Sequence, residues 1–545
     1  MDIKKWLIPI ALFILFLAVL VINREENLQP VLTGLLENKS IYQDEPGDVK
    51  ELYVTVLPAK YQNGFTFADL NQDVSNLDAI EVELKVICQE GKNGTPQPGF
   101  YGYGLTDGNG IMSLRGQSTR LAEQKSYKIE LNKKAGLWQG FQVINLNKHP
   151  WDSTKIRNKL SFDLFKGIPG YTSLRTQFVH LYIKDLSKGD FQANYQDFGL
   201  FTHVENVDKD FLKTHGLDSK GNLYKAENFE FYRYPDQLKL KTAPTYQRRR
   251  FEEVFEIKGD DDHRKLIKML DDLNNDLINI NDIIDKYFDR ENYTTWLALN
   301  ILLGNIDTNS RNFFLYSPSD NDKWYFLPWD YDKCWGYHYT KGDWQEGISN
   351  YWGVVLHRRF LQNKQNLDEL TEKIESMADY LNRDRIEKLV EIYKPVSLHY
   401  LSTPPDSEYS RYSMDDVLAD FQKIPGLVEY NRQQYYITLQ KPMPVHMGQP
   451  VTTGSFVILK WGKSYDFQDD QIFYEVEISE TPDFKKVLYK KDGIRESEHV
   501  VNNLPPGKYY WRLGIKDVQG NRQSAFDFFV DKDGMYYFGV QEFLI

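Results

Sequence analysis

The chain has 545 residues, 41% hydrophobic, 26% charged and 14% aromatic, which excludes a disordered polymer and suits roughly three folded domains. A formal net charge of −12 argues against a protein that coats nucleic acid, because phosphate binding draws on clustered Lys and Arg, so no nucleic-acid partner is expected. Cys88 and Cys334 are the two cysteines and define no disulfide framework; a chain this long buries a sufficient core without one.

In chain order, Lys4 and Lys5 precede an unbroken apolar run from Trp6 to Ile22, followed by Asn23 and Arg24. The run is about long enough to cross a bilayer, and the two lysines ahead of it leave the remainder outside the cytoplasm. No small-residue cleavage site follows, so residues 1–26 are expected to be an uncleaved single-pass anchor, with the membrane as a partner and the bulk of the chain extracytoplasmic. Residues 27–48 read as a polar linker. Leu52 to Leu57 and the alternating Ala79 to Val86 predict strands, as do Ile111 to Leu114 and Tyr127 to Leu131. Gly102, Gly104, Gly108 and Gly110 mark turns between them. Thr154 to Phe165 predicts a helix, and Phe178–Ile183 and Phe198–Val204 predict strands.

After Asp261 the period changes. Leu266, Met269, Leu270 and Leu273, then Ile283, Tyr287, Trp296, Leu299 and Leu303, fit amphipathic helices, and Leu367–Leu381 and Met414–Tyr436 continue the pattern. A sheet-rich first half meeting a helical second half predicts an α+β, two-lobed body over residues 49–440, with a nucleotide site in the cleft between lobes. Lys441-Pro442-Met443-Pro444 marks a boundary. Beyond it, Phe456–Trp461, Phe473–Ile478, Lys508–Ile515 and Phe526–Val530 are short aromatic strands. The stretch Leu504 to Arg512 followed by Asp517 to Asn521 resembles the late strands of a fibronectin type III domain, so residues 441–545 are expected to form an all-β sandwich.

The most specific segment runs from Gly304 to Tyr316, followed by Lys323 to Asp332. Phosphoryl transfer needs a carboxylate to orient the acceptor hydroxyl and oxygen ligands to hold Mg²⁺ against the phosphates. Asp307 and Asn312 stand in the D-x-x-x-x-N spacing that a kinase catalytic loop uses for these tasks, and Asp330 follows a strand, where a metal-binding Asp is expected. The spacing alone is weak; its conjunction with Trp329-Asp330-Tyr331-Asp332 is much stronger. No G-x-G-x-x-G loop, Walker loop, G-x-S-x-G elbow or H-x-x-x-H spacing occurs.

Arg115 to Thr119, Lys125 to Lys128, Ile156 to Leu160, Leu223 to Lys225, Gly304 to Asn312 and Trp324 to Asp332 together resemble, in that order, the CotH family of atypical protein kinases. The resemblance implies a kinase that uses ATP with Mg²⁺, or Mn²⁺ in its place, to phosphorylate Ser or Thr of secreted, surface or spore-coat proteins. It implies Asp307 as the catalytic residue, Asp330 as the metal ligand with Asn312 assisting, and Asp332 as a further ligand or a brace. It implies a phosphate-contacting lysine, for which Lys125 and Lys128 are both candidates, and a phosphate cradle at the turn from Arg115 to Ser118. Trp324 would stack on adenine and Tyr224 would meet its edge.

Simpler roles stay open for the same residues: turn or cap carboxylates, an ion pair at Arg115, strand-surface lysines, and Trp324 in the core. Two other functions stay open as well, a catalytically inactive surface adhesin or scaffold and, further behind, a cell-wall carbohydrate enzyme using paired carboxylates.

Overall fold

The computed structural model describes residues 34–43, 46–72, 81–337, 341–454 and 456–545. The expected membrane anchor lies outside the described residues, and among the described residues no helix is long and apolar enough to cross a membrane.

Period-two patterning builds the first lobe. Its strands are β1 (Val49–Val56), β2 (Leu84–Lys92), β3 (Thr95–Pro96), β4 (Gly110–Leu114), β5 (Tyr127–Leu131), β6 (Val143–Asn147), β7 (Thr176–Asp185) and β8 (Gln196–Val204). They form one sheet in the order β1-β7-β8-β6-β5-β4-β2-β3, and β1 pairs with β2 as well as β7, so seven strands close on themselves. Inward residues such as Leu52, Val54, Leu84, Met112, Ile129, Ile144 and Leu181 fill the interior. The strand expected from Ala79 lies further along: 79 and 80 are outside the described residues, and β2 runs on through Gln89 and Glu90. Those polar side chains are buried with partners, Trp138 Nε1 donating to Glu90 at 3.0 Å and Gln89 Nε2 donating to the Gly102 carbonyl at 2.9 Å, which hydrophobic alternation cannot register.

The second lobe is helical around a small sheet of β9 (Asn222–Ala226), β10 (Phe255–Ile257), β11 (Phe313–Ser317) and β12 (Tyr325–Pro328), ordered β10-β9-β11-β12. Helices Arg264–Leu273, Ile280–Tyr287 and Arg290–Leu303 lie where the sequence predicts them, as does Lys364–Tyr380. The stretch expected as one helix after Met414 is two, Met414–Lys423 and Leu427–Leu439, separated by a 3₁₀ turn at Ile424-Pro425-Gly426. Helix Arg157–Phe165 starts three residues later than predicted and is buried on nearly every side. Half of the expected linker is not loose: Leu35 N–H donates to the Gly170 carbonyl at 2.8 Å, and the Glu37 carboxylate is buried against His215 Nδ1 at 2.7 Å.

The C-terminal part is a two-sheet β module. β13 (Val451–Thr453), β14 (Phe456–Lys460) and β17 (Glu498–Val501) form one sheet. β15 (Ile472–Ser479), β16 (Val487–Ile494), β18 (Lys508–Asp517) and β19 (Arg522–Ser524) form the other, with β22 (Val540–Leu544) on β18. Val457, Leu459, Val476, Ile478, Trp511 and Leu513 fill the space between. The strand expected at Phe526–Val530 belongs to neither sheet; β20 (Phe528–Val530) pairs only with β21 (Tyr536–Phe538). The module docks on the helical lobe through Trp352, which stacks on Tyr465 at 5.2 Å and meets Phe467 edge-on at 5.8 Å.

Candidate active site

Helix Arg290–Leu303 ends at Gly304, whose φ of 61° lies in the left-handed region, and a Cβ there would sit 2.9 Å from Asn431 Nδ2. The chain then turns through Asn305 to Asn312 before entering β11. Buried Thr308 fixes this loop by donating to Asn300 Oδ1 at 3.0 Å, and Tyr351 Oη donates to the Asn305 carbonyl at 2.9 Å. Asn312, itself left-handed at φ 59°, donates from Nδ2 to Asp307 Oδ2 at 3.0 Å, so the two motif residues meet directly. Lys333 Nζ reaches the same oxygen at 3.0 Å. Burial alone would lower the Lys333 ammonium, but Asp307 outweighs it and the net shift is upward.

The β11–β12 hairpin delivers Trp329-Asp330-Tyr331-Asp332 to the same place. Asp330 adopts φ 57°, Tyr331 is fully buried among Phe162, Phe165 and Tyr171, and its N–H donates to Asn158 Oδ1 at 3.0 Å. Arg157 on the same helix donates to the Trp335 carbonyl, while Trp335 Nε1 donates to Ser161 Oγ at 2.9 Å. Helix Arg157–Phe165 therefore braces the segment after Asp330, a role visible only once the fold brings the two together. Asp332 lies 3.8 Å from His149 Nδ1.

Facing these carboxylates across a cleft of about 60 Å³ is the barrel edge: Arg115, Gly116, Thr119, Ser126, Asn147 and His149. Gly116 has φ 81°, and a Cβ there would come 2.1 Å from Thr119 Oγ1, so the turn requires glycine. Burial pulls the Arg115 guanidinium down to about 10 against the opposing pull of Asp330 and Asp332. The Asp330 carboxyl is pushed well above the usual carboxylate range, by burial first and then by Asp332 and Asp307, with Arg115 and Lys225 acting against the rise. Arg115 Nη1 is buried with no hydrogen-bond partner.

These features test the fit of a nucleotide and its metal. A crowd of carboxylate oxygens that resist joint ionisation suits a hard divalent cation, and an unpartnered buried guanidinium nitrogen at the cleft suits a phosphate oxygen. Alternation on β5 puts Lys128 on the face of Ser126, opposite the buried Tyr127 and Ile129, but it does not line the cleft and its Nζ lies 4.0 Å from Glu130. Lys125 instead donates to the Arg120 carbonyl at 2.5 Å.

Trp324 and Tyr224 do not reach the cleft. Both are fully buried, their rings 6.0 Å apart, and Tyr224 Oη bonds His263 Nδ1 at 2.8 Å. In this arrangement Tyr224 on β9 and Trp324, just ahead of β12, both turn their rings inward to the core. Sequence reasoning gave no role in the site to Lys333, Asn158, Trp329 or His149; the first is one residue past Asp332, a signal that was available.

A second opening of about 200 Å³ adjoins the other side of the loop, lined by Asn305, Ile306, Asn350, Tyr351 and Tyr430 among others. Asn305 Nδ2 and Asn350 Oδ1 are buried there without partners.

A two-lobed α+β body with this loop defines a kinase-like protein. Residues 112–433 match the model of the CotH kinase protein family, and the chain belongs to that family. It is 25% identical over 233 residues to inner spore coat protein H of Bacillus subtilis (strain 168), a match covering 41% of this chain and 58% of that relative, so the chain spans under two thirds of its length. Among solved structures it is similar to the Helicobacter pylori proinflammatory kinase CtkA, at 10% identity over 57% of this chain and 95% of that one, with a TM-score of 0.25. It is also similar to the fibronectin type III domain of human fibronectin type III domain containing protein 3, at 24% identity over 19% of this chain and 84% of that one, with a TM-score of 0.14.

Proposed function

We propose that the protein is an active kinase that transfers the terminal phosphate of ATP to Ser or Thr hydroxyls of secreted, surface or spore-coat proteins, and that residues 1–26 anchor it in a membrane. The carrying observation is Asp307, held by Asn312 and Lys333, set beside the Asp330 and Asp332 carboxylates and facing Arg115. Asp330, with Asn312 and Asp332, would hold Mg²⁺, and the bound nucleotide would supply the phosphoryl group. Asp307 orients the acceptor hydroxyl and takes its proton. Arg115 neutralises charge on the barrel side, where Lys128 would join it on leaving Glu130, and the Gly116 turn lets the backbone approach closely. The opening beside Asn305 and Ile306 is the acceptor's approach, next to the catalytic carboxylate and lined by unpartnered amide groups. The body spans residues 49–440, and residues 441–545 form a fibronectin type III-like domain, a reading supported by its two packed sheets and aromatic core.

The test is phosphate transfer from labelled ATP with Mg²⁺ by the full chain beside Asp307→Ala. Transfer should fall by about 10²–10⁴-fold in the variant while its unfolding temperature stays unchanged, as for loss of a positioned base. Transfer that persists in Asp307→Ala would sink the assignment. No transfer by the parent chain, with ATP and Mg²⁺ still stabilising it, would point to a missing acceptor, whereas neither transfer nor stabilisation would favour the scaffold reading, in which Lys333 keeps Asp307 engaged.

A further inference from the structure

Three carboxylates in the β module serve none of the chemistry above. Asp466 and Asp470 lie on the connection from β14 to β15, and Asp517 ends β18. One oxygen of each lies within 4.8 Å of the others. Asp466 and Asp517 are 4% and 3% exposed, so two negative side chains are buried side by side. Among the described residues no Lys, Arg or His forms an ion pair with any of the three.

Hydrogen bonds meet part of this charge. Asp466 Oδ1 accepts from the N–H groups of Gln468 and Asp470 at 2.8 and 3.1 Å. Asn521 donates to both oxygens of Asp517, at 2.9 and 2.7 Å. Asp466 Oδ2, by contrast, is buried with no hydrogen-bond partner at all. A buried carboxylate oxygen left unpaired is costly, and the set offers oxygen ligands only, with no sulfur or imidazole. That donor chemistry selects a hard cation of flexible coordination, and calcium, which takes about 6–8 oxygens, can complete its shell with water.

We propose that Asp466, Asp470 and Asp517 form a calcium site that fastens the β module to the helical lobe. Its position gives the ion that role. Asp466 stands between Tyr465 and Phe467, the two rings packed on Trp352, and the Tyr465 carbonyl accepts the Met443 N–H at 2.8 Å. An ion tying this loop to the end of β18 holds both rings in place. The inference is independent of the kinase reading, since none of these residues lies at the cleft.

The experiment follows thermal unfolding of the full chain in EGTA and in Ca²⁺ up to about 10 mM, the range in which extracellular calcium modules saturate. Ca²⁺ should raise Tm by on the order of 5 °C, as expected for a ligand well above its Kd. The shift should persist in Asp330→Asn, which removes a carboxylate from the cleft, and vanish in Asp466→Asn. Asp470→Asn, at a half-exposed position, serves the same purpose should Asp466→Asn fail to fold. No shift in the parent chain, a shift lost in Asp330→Asn, or a shift retained in whichever Asp466 or Asp470 variant folds would overturn the proposal.

Discussion

Arg157 is 1% exposed on its side chain and lies between two carboxylates that are almost as buried, Asp152 and Asp420, the second at 3.1 Å. Three charges out of water are tolerable only while each is met. Arg157→Met removes the cation that both buried carboxylates face, leaving Asp420 with Lys423 at 3.8 Å and Asp152 with neutral donors, so it should cost about 3–5 kcal/mol of stability, read from urea unfolding. A loss below about 1 kcal/mol would mean that the helix braces the Asp330 segment by packing alone. The Asp420 partner lies 263 positions away, so no pattern in the sequence names what Arg157 holds. Asp307 and Asn312 were legible for the opposite reason: they lie five positions apart, and their contact is local. For Trp324 and Tyr224 the choice between cleft and core was not legible, because strand periodicity says that side chains alternate but not which side faces the cleft.

At the scale of elements, residues 34–43 behave as part of the fold. His215 lies between Glu37 and Glu205, 2.7 Å from one and 3.1 Å from the other. Burial alone would depress the imidazolium, but the hydrogen bonds it donates to Glu205 and Glu37 outweigh it and raise the histidine above its ordinary value. A raised folded-state value means stability that is full below the unfolded value of about 6.5 and is lost as pH climbs through the folded one. The urea midpoint should therefore fall from about pH 6 to pH 9, and His215→Gln should flatten that slope; equal slopes in both proteins would remove His215 as the cause. Most strands and helices were readable from period alone, β5 to the residue. Helix Arg383–Leu401 was not, because Pro395 interrupts its pattern, and β2 was shifted because its buried Gln89 and Glu90 look like surface.

For the whole molecule, the kinase-like body and the β module meet through few aromatic contacts, with Trp344 against Phe526 at 5.2 Å and Gln523 Nε2 donating to Ser349 Oγ at 3.1 Å beside the Trp352 stack. Trp352→Ala removes the central ring, and aromatic pairs contribute about 0.5–1.5 kcal/mol each beyond their buried area. Calorimetry should then resolve two unfolding transitions where the parent chain shows one, with limited proteolysis gaining a cut near Lys441 to Pro444. A single transition at the parent temperature would show that the remaining contacts suffice.

The Gly34 N–H donates to Asp289 Oδ2 at 3.2 Å, and the same side chain caps the helix Arg290–Leu303 by accepting the Asn292 N–H at 2.8 Å. That helix is 14 residues long and runs straight into the turn that carries Asp307. The chain thus has a mechanical load path: tension applied ahead of Gly34 is borne first by this cap, before any strand of the barrel is strained. If residues 1–26 anchor the chain as proposed, a pull on them would be felt at the far end of a rod about 21 Å long, where the loop with Asp307 begins.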